Sequence, residues 1–328
     1  MKAVLICFIS AAAILLTGCS SGPATPAGKP QIVATIFPLA DWLREVAGPD
    51  ADVHCLVTGN ANPHHFEPSV KDVATITRAS AVFTVGLELD PWAGTLIKNA
   101  GTQAKVFETG KWIRPLRLES ARLIEVVTDP KDKSADKPDQ KKDHHDHDGH
   151  DHHHHGDADP HFWLDPTRAA DVVQRMADEL EALDPAHAQD YQKRADAYIA
   201  KLKALSAELD AAAKTIPPGK KIVTFHDAYG YLLERLNIKL AAVVQVSPGV
   251  EPSPKNVSEA IRAMKEIKQQ VVFTEPTGSP TAAKVVAQEI GGSVETLDPM
   301  DSELSNVGKT YLERMQHNVN ILLKVMQP

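Results

Sequence analysis

The chain is short of cysteine, of aromatic residues, of positive charge and of long apolar runs, and each shortage removes a class of explanation. Only Cys7, Cys19 and Cys55 occur in 328 residues. Cys7 and Cys19 fall in the N-terminal segment, so processing leaves Cys55 alone. No intrachain disulfide is then possible, and any metal site must rest on histidine and carboxylate rather than thiolate. Aromatics make up 5% of the chain while alanine is common, which suits an α/β or helical protein. A net charge of −8 gives no reason to expect nucleic acid as a partner. The apolar run Ala3 to Leu16 is too short to span a bilayer comfortably.

That run instead has the form of a secretory signal. It follows the basic start Met1-Lys2 and leads into Leu16-Thr17-Gly18-Cys19, which resembles a bacterial lipobox. Residues 1–18 are expected to be removed and Cys19 lipidated. Residues 19–30, with Ser20-Ser21-Gly22-Pro23, then form a tether. The mature chain is expected outside the cytoplasm, in the periplasm or at the cell surface, held at a membrane by its lipid without spanning it.

What the chain has in excess is histidine. Eight of its fifteen histidines (His144, His145, His147, His150, His152, His153, His154 and His155) lie in twelve positions, within the run DHHDHDGHDHHHHGD from Asp143 to Asp157. Imidazole and carboxylate together bind zinc and other borderline divalent metals. An expression tag would sit at a terminus, whereas this run is internal and mixed with aspartate.

Around it, short apolar runs alternate with amphipathic stretches. Strands are expected at Gln31–Ile36, Val53–Val57, Ala81–Val85 and Lys105–Phe107. Helices are expected at Pro38–Ala47, Val70–Ala79 with Ser69 as N-cap, and Trp92–Ala100. From about Thr128 to Asp159 apolar residues almost vanish, which predicts a disordered insertion. Thr167–Leu183 reads as a helix. From Pro185, after Asp184 as N-cap, a second helix of about thirty residues, roughly 45 Å long, is expected, with Tyr191, Ala195, Ile199, Leu202, Leu205 and Leu209 on one face. Strands at Lys221–Phe225, Ala241–Val246, Val271–Thr274 and Ser293–Leu297 alternate with helices near Ala228, Pro254 and Pro280, and a last helix covers Thr310–Met326. The pattern predicts an α/β protein: two βα lobes with parallel sheets, 31–166 and 216–328, joined through 167–215 by a long rigid helix. A stiff connection predicts small lobe motions.

Ligands of open parallel sheets bind beyond the carboxyl ends of the strands. His64, in NPHHFEPS, follows the second strand. His161, in DPHFWLDP, sits where the insertion re-enters the fold. His226, in FHDAYGYL, ends the first strand of the second lobe, and Asp298, in LDP, ends its last. Three imidazoles and a carboxylate meet the tetrahedral preference of zinc, and two from each lobe place the site in the interlobe cleft. His65 could substitute for His64, and a water or another carboxylate could replace Asp298. Glu67 and Glu275 read as groups that orient ligands. His54, His187 and His317 read as ordinary histidines, and Trp92, Trp112 and Trp163 as lobe packing. Val307-Gly308-Lys309-Thr310 is not a phosphate loop, because position 303 is Glu and no strand leads into it.

These motifs, with GLELDPW (Gly86 to Trp92) and FTEP (Phe273 to Pro276), resemble across nearly all the mature chain the solute-binding lipoproteins of bacterial ABC transporters for zinc and manganese. The resemblance implies His64, His161, His226 and Asp298 as ligands, and a membrane permease and a cytoplasmic ATPase as partners. It implies a binding protein, expected as a monomer, and no enzyme. Histidine at position 226, where manganese members tend to carry glutamate, and the His-rich insertion both favour Zn²⁺ over Mn²⁺. The competing readings are a manganese or broad divalent-metal carrier, a zinc-storing surface adhesin, and a zinc hydrolase. The last is disfavoured by the lack of His-Glu-x-x-His.

Overall fold

A computed structural model describes residues 28–59, 61–117, 158–245, 252–276 and 280–326. Cys19 and all eight histidines of the run lie outside the described residues. The first sheet is built from β1 (Gln31–Ala34), β2 (Asp52–Cys55), β3 (Ala81–Thr84) and β4 (Lys105–Glu108). All pairings are parallel, in the order β2-β1-β3-β4. Burial follows that order. The inner strands β1 and β3 are almost continuously buried, whereas the edge strands β2 and β4 expose residues to solvent. This is the expected signature of a parallel sheet covered on both faces.

Helix α1 (Phe37–Ala47) has Pro38 in its first turn and ends at Gly48, whose φ of 55° suits glycine. Helix α2 (Val70–Thr77) begins with a capping box: Ser69 accepts from the Asp72 amide and Asp72 accepts from the Ser69 amide. Helix α3 is Pro91–Ala100. The two edges of the undescribed stretch 118–157 meet: Arg117 bridges Ala158 antiparallel, and Asp159 N donates to Leu116 O at 2.8 Å. The described chain on either side of that stretch is thus paired just before His161.

Helices α4 (Pro166–Leu183) and α5 (Ala188–Ala213) pack against one another. The 26 residues of α5 give about 39 Å. It starts later than the sequence suggests, because Pro185–His187 forms a 3₁₀ turn and the Asp184 carboxylate is used by side chains, His187 Nδ1 at 2.6 Å and Tyr191 OH at 2.9 Å, instead of capping a helix. Its buried seam is Tyr191, Ala195, Tyr198, Leu202, Leu205, Leu209 and Ala212, spaced alternately by four and three residues. Tyr198 takes the place expected for Ile199, which is only partly buried. This seam meets α1 on one side and α6 (Gly230–Arg235) and α9 (Tyr311–Met326) on the other, so α5 joins the two lobes.

The second lobe holds two parallel ladders, β5 (Lys221–Thr224) with β6 (Lys239–Val243), and β7 (Val271–Thr274) with β8 (Ser293–Thr296). Helices α7 (Pro254–Glu266) and α8 (Pro280–Ile290) pack on them. The buried amide of Gln269 joins the ladders: its oxygen accepts from Val223 N, and its nitrogen donates to Val223 O and Val271 O. Lys309-Thr310 serves as the entry to α9, where Glu313 Oε2 accepts from both amides.

Polar contacts tie the lobes together. Tyr231 OH donates to Asp159 O, Trp163 Nε1 to Pro299 O, Tyr311 OH to Trp163 O, and Tyr311 N to Asp41 Oδ2. Arg44 pairs with Glu303, and Ser302 Oγ donates to Gly59 O. No helix among the described residues is long and apolar enough to cross a membrane.

Candidate metal centre

His64 lies on a 3₁₀ turn, Pro63–His65, reached from the carboxyl end of β2. His161 directly precedes the buried 3₁₀ turn Phe162–Leu164. His226 follows β5 by one residue. The fold brings these three rings together, with centroid separations of 5.6 Å (His64–His161), 5.7 Å (His161–His226) and 6.5 Å (His64–His226). One ligand-capable nitrogen from each lies within 4.8 Å of the others, and this is the only such group of His, Cys, Asp and Glu among the described residues. Tetrahedral zinc with bonds near 2.0–2.1 Å needs nitrogens about 3.3 Å apart, so a small contraction suffices. His65 is exposed and outside the group.

Two of the rings are oriented by carboxylates. His161 Nδ1 is 2.8 Å from Asp159 Oδ1, which also accepts from the His161 amide. His226 Nδ1 is 2.6 Å from Glu275 Oε1, an oxygen that also accepts from Tyr229 OH at 3.2 Å. Both Nε2 atoms are buried with no hydrogen-bond partner. A buried, unpaired nitrogen is costly unless something else meets it, and a cation is what an imidazole lone pair held in this way accepts. For His226, burial disfavours the charged ring, but the Glu275 charge and hydrogen bond, with Asp301 and Asp227, outweigh it and push the pKa up to about 9.

Asp298 is near the site but otherwise employed. Its Oδ1 accepts from Met300 N at 2.8 Å, its Oδ2 accepts from Ser305 Oγ at 2.7 Å, and Arg314 Nη1 stands 3.7 Å away. Burial raises its pKa against these partners. It is not in the three-histidine group. Asp301, also outside that group, is a second buried carboxyl, attracted by the charges of His226 and His161. It is 6% exposed, and burial and the Glu275 charge push its pKa up to about 7, against that attraction. Sequence reasoning passed over Asp301. The only local signal was a second acid three residues after the first, across a Pro-Met turn whose Met300 has φ 59°. Glu67 is exposed, while Glu275 occupies the orienting position described.

With fold and site in view, comparison with known proteins is decisive. Residues 32–325 match the family described as zinc-uptake complex component A, periplasmic. The chain belongs to this family. It is 29% identical over 328 residues to the zinc-binding lipoprotein AdcA of Streptococcus pneumoniae, covering 98% of this chain and 60% of AdcA. It is 27% identical over 319 residues to the high-affinity zinc uptake system protein ZnuA of Bacillus subtilis, covering 96% and 93%. The Zn(II)-bound ZnuA-like domain of S. pneumoniae AdcA superposes with a TM-score of 0.70 at 26% identity, covering 92% of this chain and all of that domain. The chain thus spans about 60% of the length of the first curated relatives it matches.

Proposed function

We propose that this family member captures Zn²⁺ outside the cytoplasm and delivers it to an ABC-type importer, that is, to a membrane permease driven by a cytoplasmic ATPase. His64, His161 and His226 bind the metal, and a nearby carboxylate completes the set: Asp298 or Asp301, with Asp301 favoured because both Asp298 oxygens already accept hydrogen bonds from Met300 and Ser305. The observation that carries this reading is the convergence of three imidazoles within 4.8 Å, two of them with buried, unpartnered Nε2 atoms fixed by Asp159 and Glu275. An all-histidine first set suits zinc better than the oxygen-preferring manganese. The zinc-binding names of AdcA and ZnuA support the same metal.

The remaining organisation follows the sequence: signal 1–18, tether 19–30 lipidated at Cys19, lobes 31–166 and 216–328, and a helical connection 167–215. The His-rich run, a few residues before His161 in the sequence, gathers or meters metal for the cleft. Of the two acids that the sequence offered as partners of a hydrolytic water, Glu275 is committed to His226 and Tyr229, and Glu67 is exposed to solvent. The test is the zinc stoichiometry and affinity of the purified chain, with and without residues 143–157, followed by His64→Ala, His161→Ala and His226→Ala. The expected result is one tight site that survives loop deletion and is lost or weakened by at least a hundredfold in each variant. Survival of the tight site in all three would refute the assignment.

A further inference from the structure

The motif Gly86-Leu87-Glu88-Leu89-Asp90-Pro91-Trp92 contributes no ligand, yet it is tied to the turn that carries His64. Trp92 Nε1 donates to Pro63 O at 2.7 Å, and its ring lies 4.6 Å from that of Phe66, centroid to centroid. One side chain thus holds the backbone just before His64 and the ring two residues after it. Trp92 is itself held from behind. Asp90, 4% exposed, accepts from Thr35 Oγ1 at 2.6 Å, from Val85 N at 2.8 Å and from Gly86 N at 2.8 Å. This fixes the start of α3 against the carboxyl ends of β1 and β3. Gly86 lets the chain make the turn: its φ is +74°, and a Cβ there would run into the Glu108 side chain. A continuous path of contacts therefore runs from the centre of the first sheet through Asp90 and Trp92 to the backbone of His64.

The local structure shows why such a hold matters. The turn's own backbone bonding is short-range: His65 N reaches Asn62 O at 3.2 Å, and His64 N reaches Asn62 Oδ1 at 2.8 Å. A turn bonded mainly to itself shifts as a unit unless its edge is tied to the scaffold. A ligand that is already in place when metal arrives loses less freedom on binding.

We propose that Trp92 is a positioning residue for the metal site. Its N–H···O=C bond to Pro63 holds the 3₁₀ turn so that the His64 ring meets those of His161 and His226. The inference rests on the reading of these three histidines as the zinc site. Its loss acts chiefly on release, because a loosened ligand detaches first.

The experiment uses the full chain and Zn²⁺, in competition with a chromophoric chelator. Trp92→Phe keeps an aromatic ring against Phe66 and removes the donor. One hydrogen bond of about 1 kcal/mol corresponds to about a fivefold change. Trp92→Phe is therefore expected to weaken Zn²⁺ binding five- to tenfold, mainly through faster dissociation, and to add nothing in a His64→Ala background. Phe66→Leu, which spares the indole–carbonyl bond, is expected to retain affinity within about twofold. The proposal is overturned if Trp92→Phe binds as tightly as the parent, if it weakens His64→Ala by the same factor, or if Phe66→Leu loses as much. An unimpaired His64→Ala would instead refute the three-histidine reading.

Discussion

Asp41 offers a quantitative test of the junction between the lobes. It lies on α1 of the first lobe, is 8% exposed, and its Oδ2 accepts from the Tyr311 amide at the start of α9 in the second. Burial raises its pKa from 3.8 to about 6, in spite of that hydrogen bond and the charges of Arg44 and Arg314, with Glu45 pushing the same way as burial. A carboxyl whose folded pKa lies above its unfolded value is neutral in both states below about pH 4, where it costs nothing. As pH rises through 4 to 6 the unfolded state ionises first, and the native state loses stability relative to it. The difference of about two units is worth about 3 kcal/mol above pH 7. An asparagine in its place would keep an oxygen for the Tyr311 amide without the buried charge. Asp41→Asn should therefore match the parent in stability near pH 3.5, apart from a constant offset, and gain on it by about 3 kcal/mol by pH 7.5. Urea unfolding of the metal-free chain at half-unit intervals of pH measures this directly. A stability difference independent of pH, or one that shrinks as pH rises, would show that Asp41 is not a buried carboxyl of raised pKa.

Three other groups separate metal binding from structure. Glu275→Gln keeps an acceptor for His226 Nδ1 but removes the charge, and should cost ten- to a hundredfold in Zn²⁺ affinity; unchanged affinity by chelator competition would remove its orienting role. Asp301→Ala should weaken Zn²⁺ binding at least tenfold while the metal-free chain melts no lower, since the variant discards a carboxyl whose ionisation burial opposes. Asp298→Ala should do the reverse, because it leaves Arg314 buried without its carboxylate, at a cost of about 3 kcal/mol in urea unfolding. The opposite ranking of the two variants would return Asp298 to the metal.

The convergence of His64, His161 and His226 was legible because each follows a recognisable strand end or re-entry point, and parallel strands carry their ends at one edge. Val33, Val82 and their neighbours announce inner strands through unbroken apolar runs, and every expected strand is present to within three residues at each end. The position of a fourth group is less legible. Choosing between Asp298 and Asp301 depends on the direction of two side chains around a turn in which Met300 adopts a left-handed φ, and no periodicity reports that. The start of α5 was misread for a similar reason. Asp184-Pro185 has the composition of a helix cap, but Asp184 meets better donors in His187 and Tyr191 once the chain folds back. Gln269 gives no sequence signal either: an amide between two strands reads as surface until both strands are in place.

The hydrogen bonds around the cleft explain how one small site can be both interlobe and ready-made. The backbone beside the His64, His161 and Asp298 segments is held by donors from aromatic side chains: Pro63 O by Trp92, Asp159 O by Tyr231, Leu297 O by Tyr229 and Pro299 O by Trp163. Two of the four bonds, from Tyr231 and Trp163, cross between the lobes. Large rings lose little conformational freedom for the surface they bury, and an indole N–H or phenol O–H adds direction to that packing. The ligand segments are therefore braced against each other as much as against their own sheets. An opening wide enough to part the lobes would break the two crossing bonds together with the Tyr311 contacts to Trp163 and Asp41. Exchange of metal by a shift of the His64 turn disturbs far fewer of them, which makes that turn, tied at its edge by Trp92, the least costly part of the site to move.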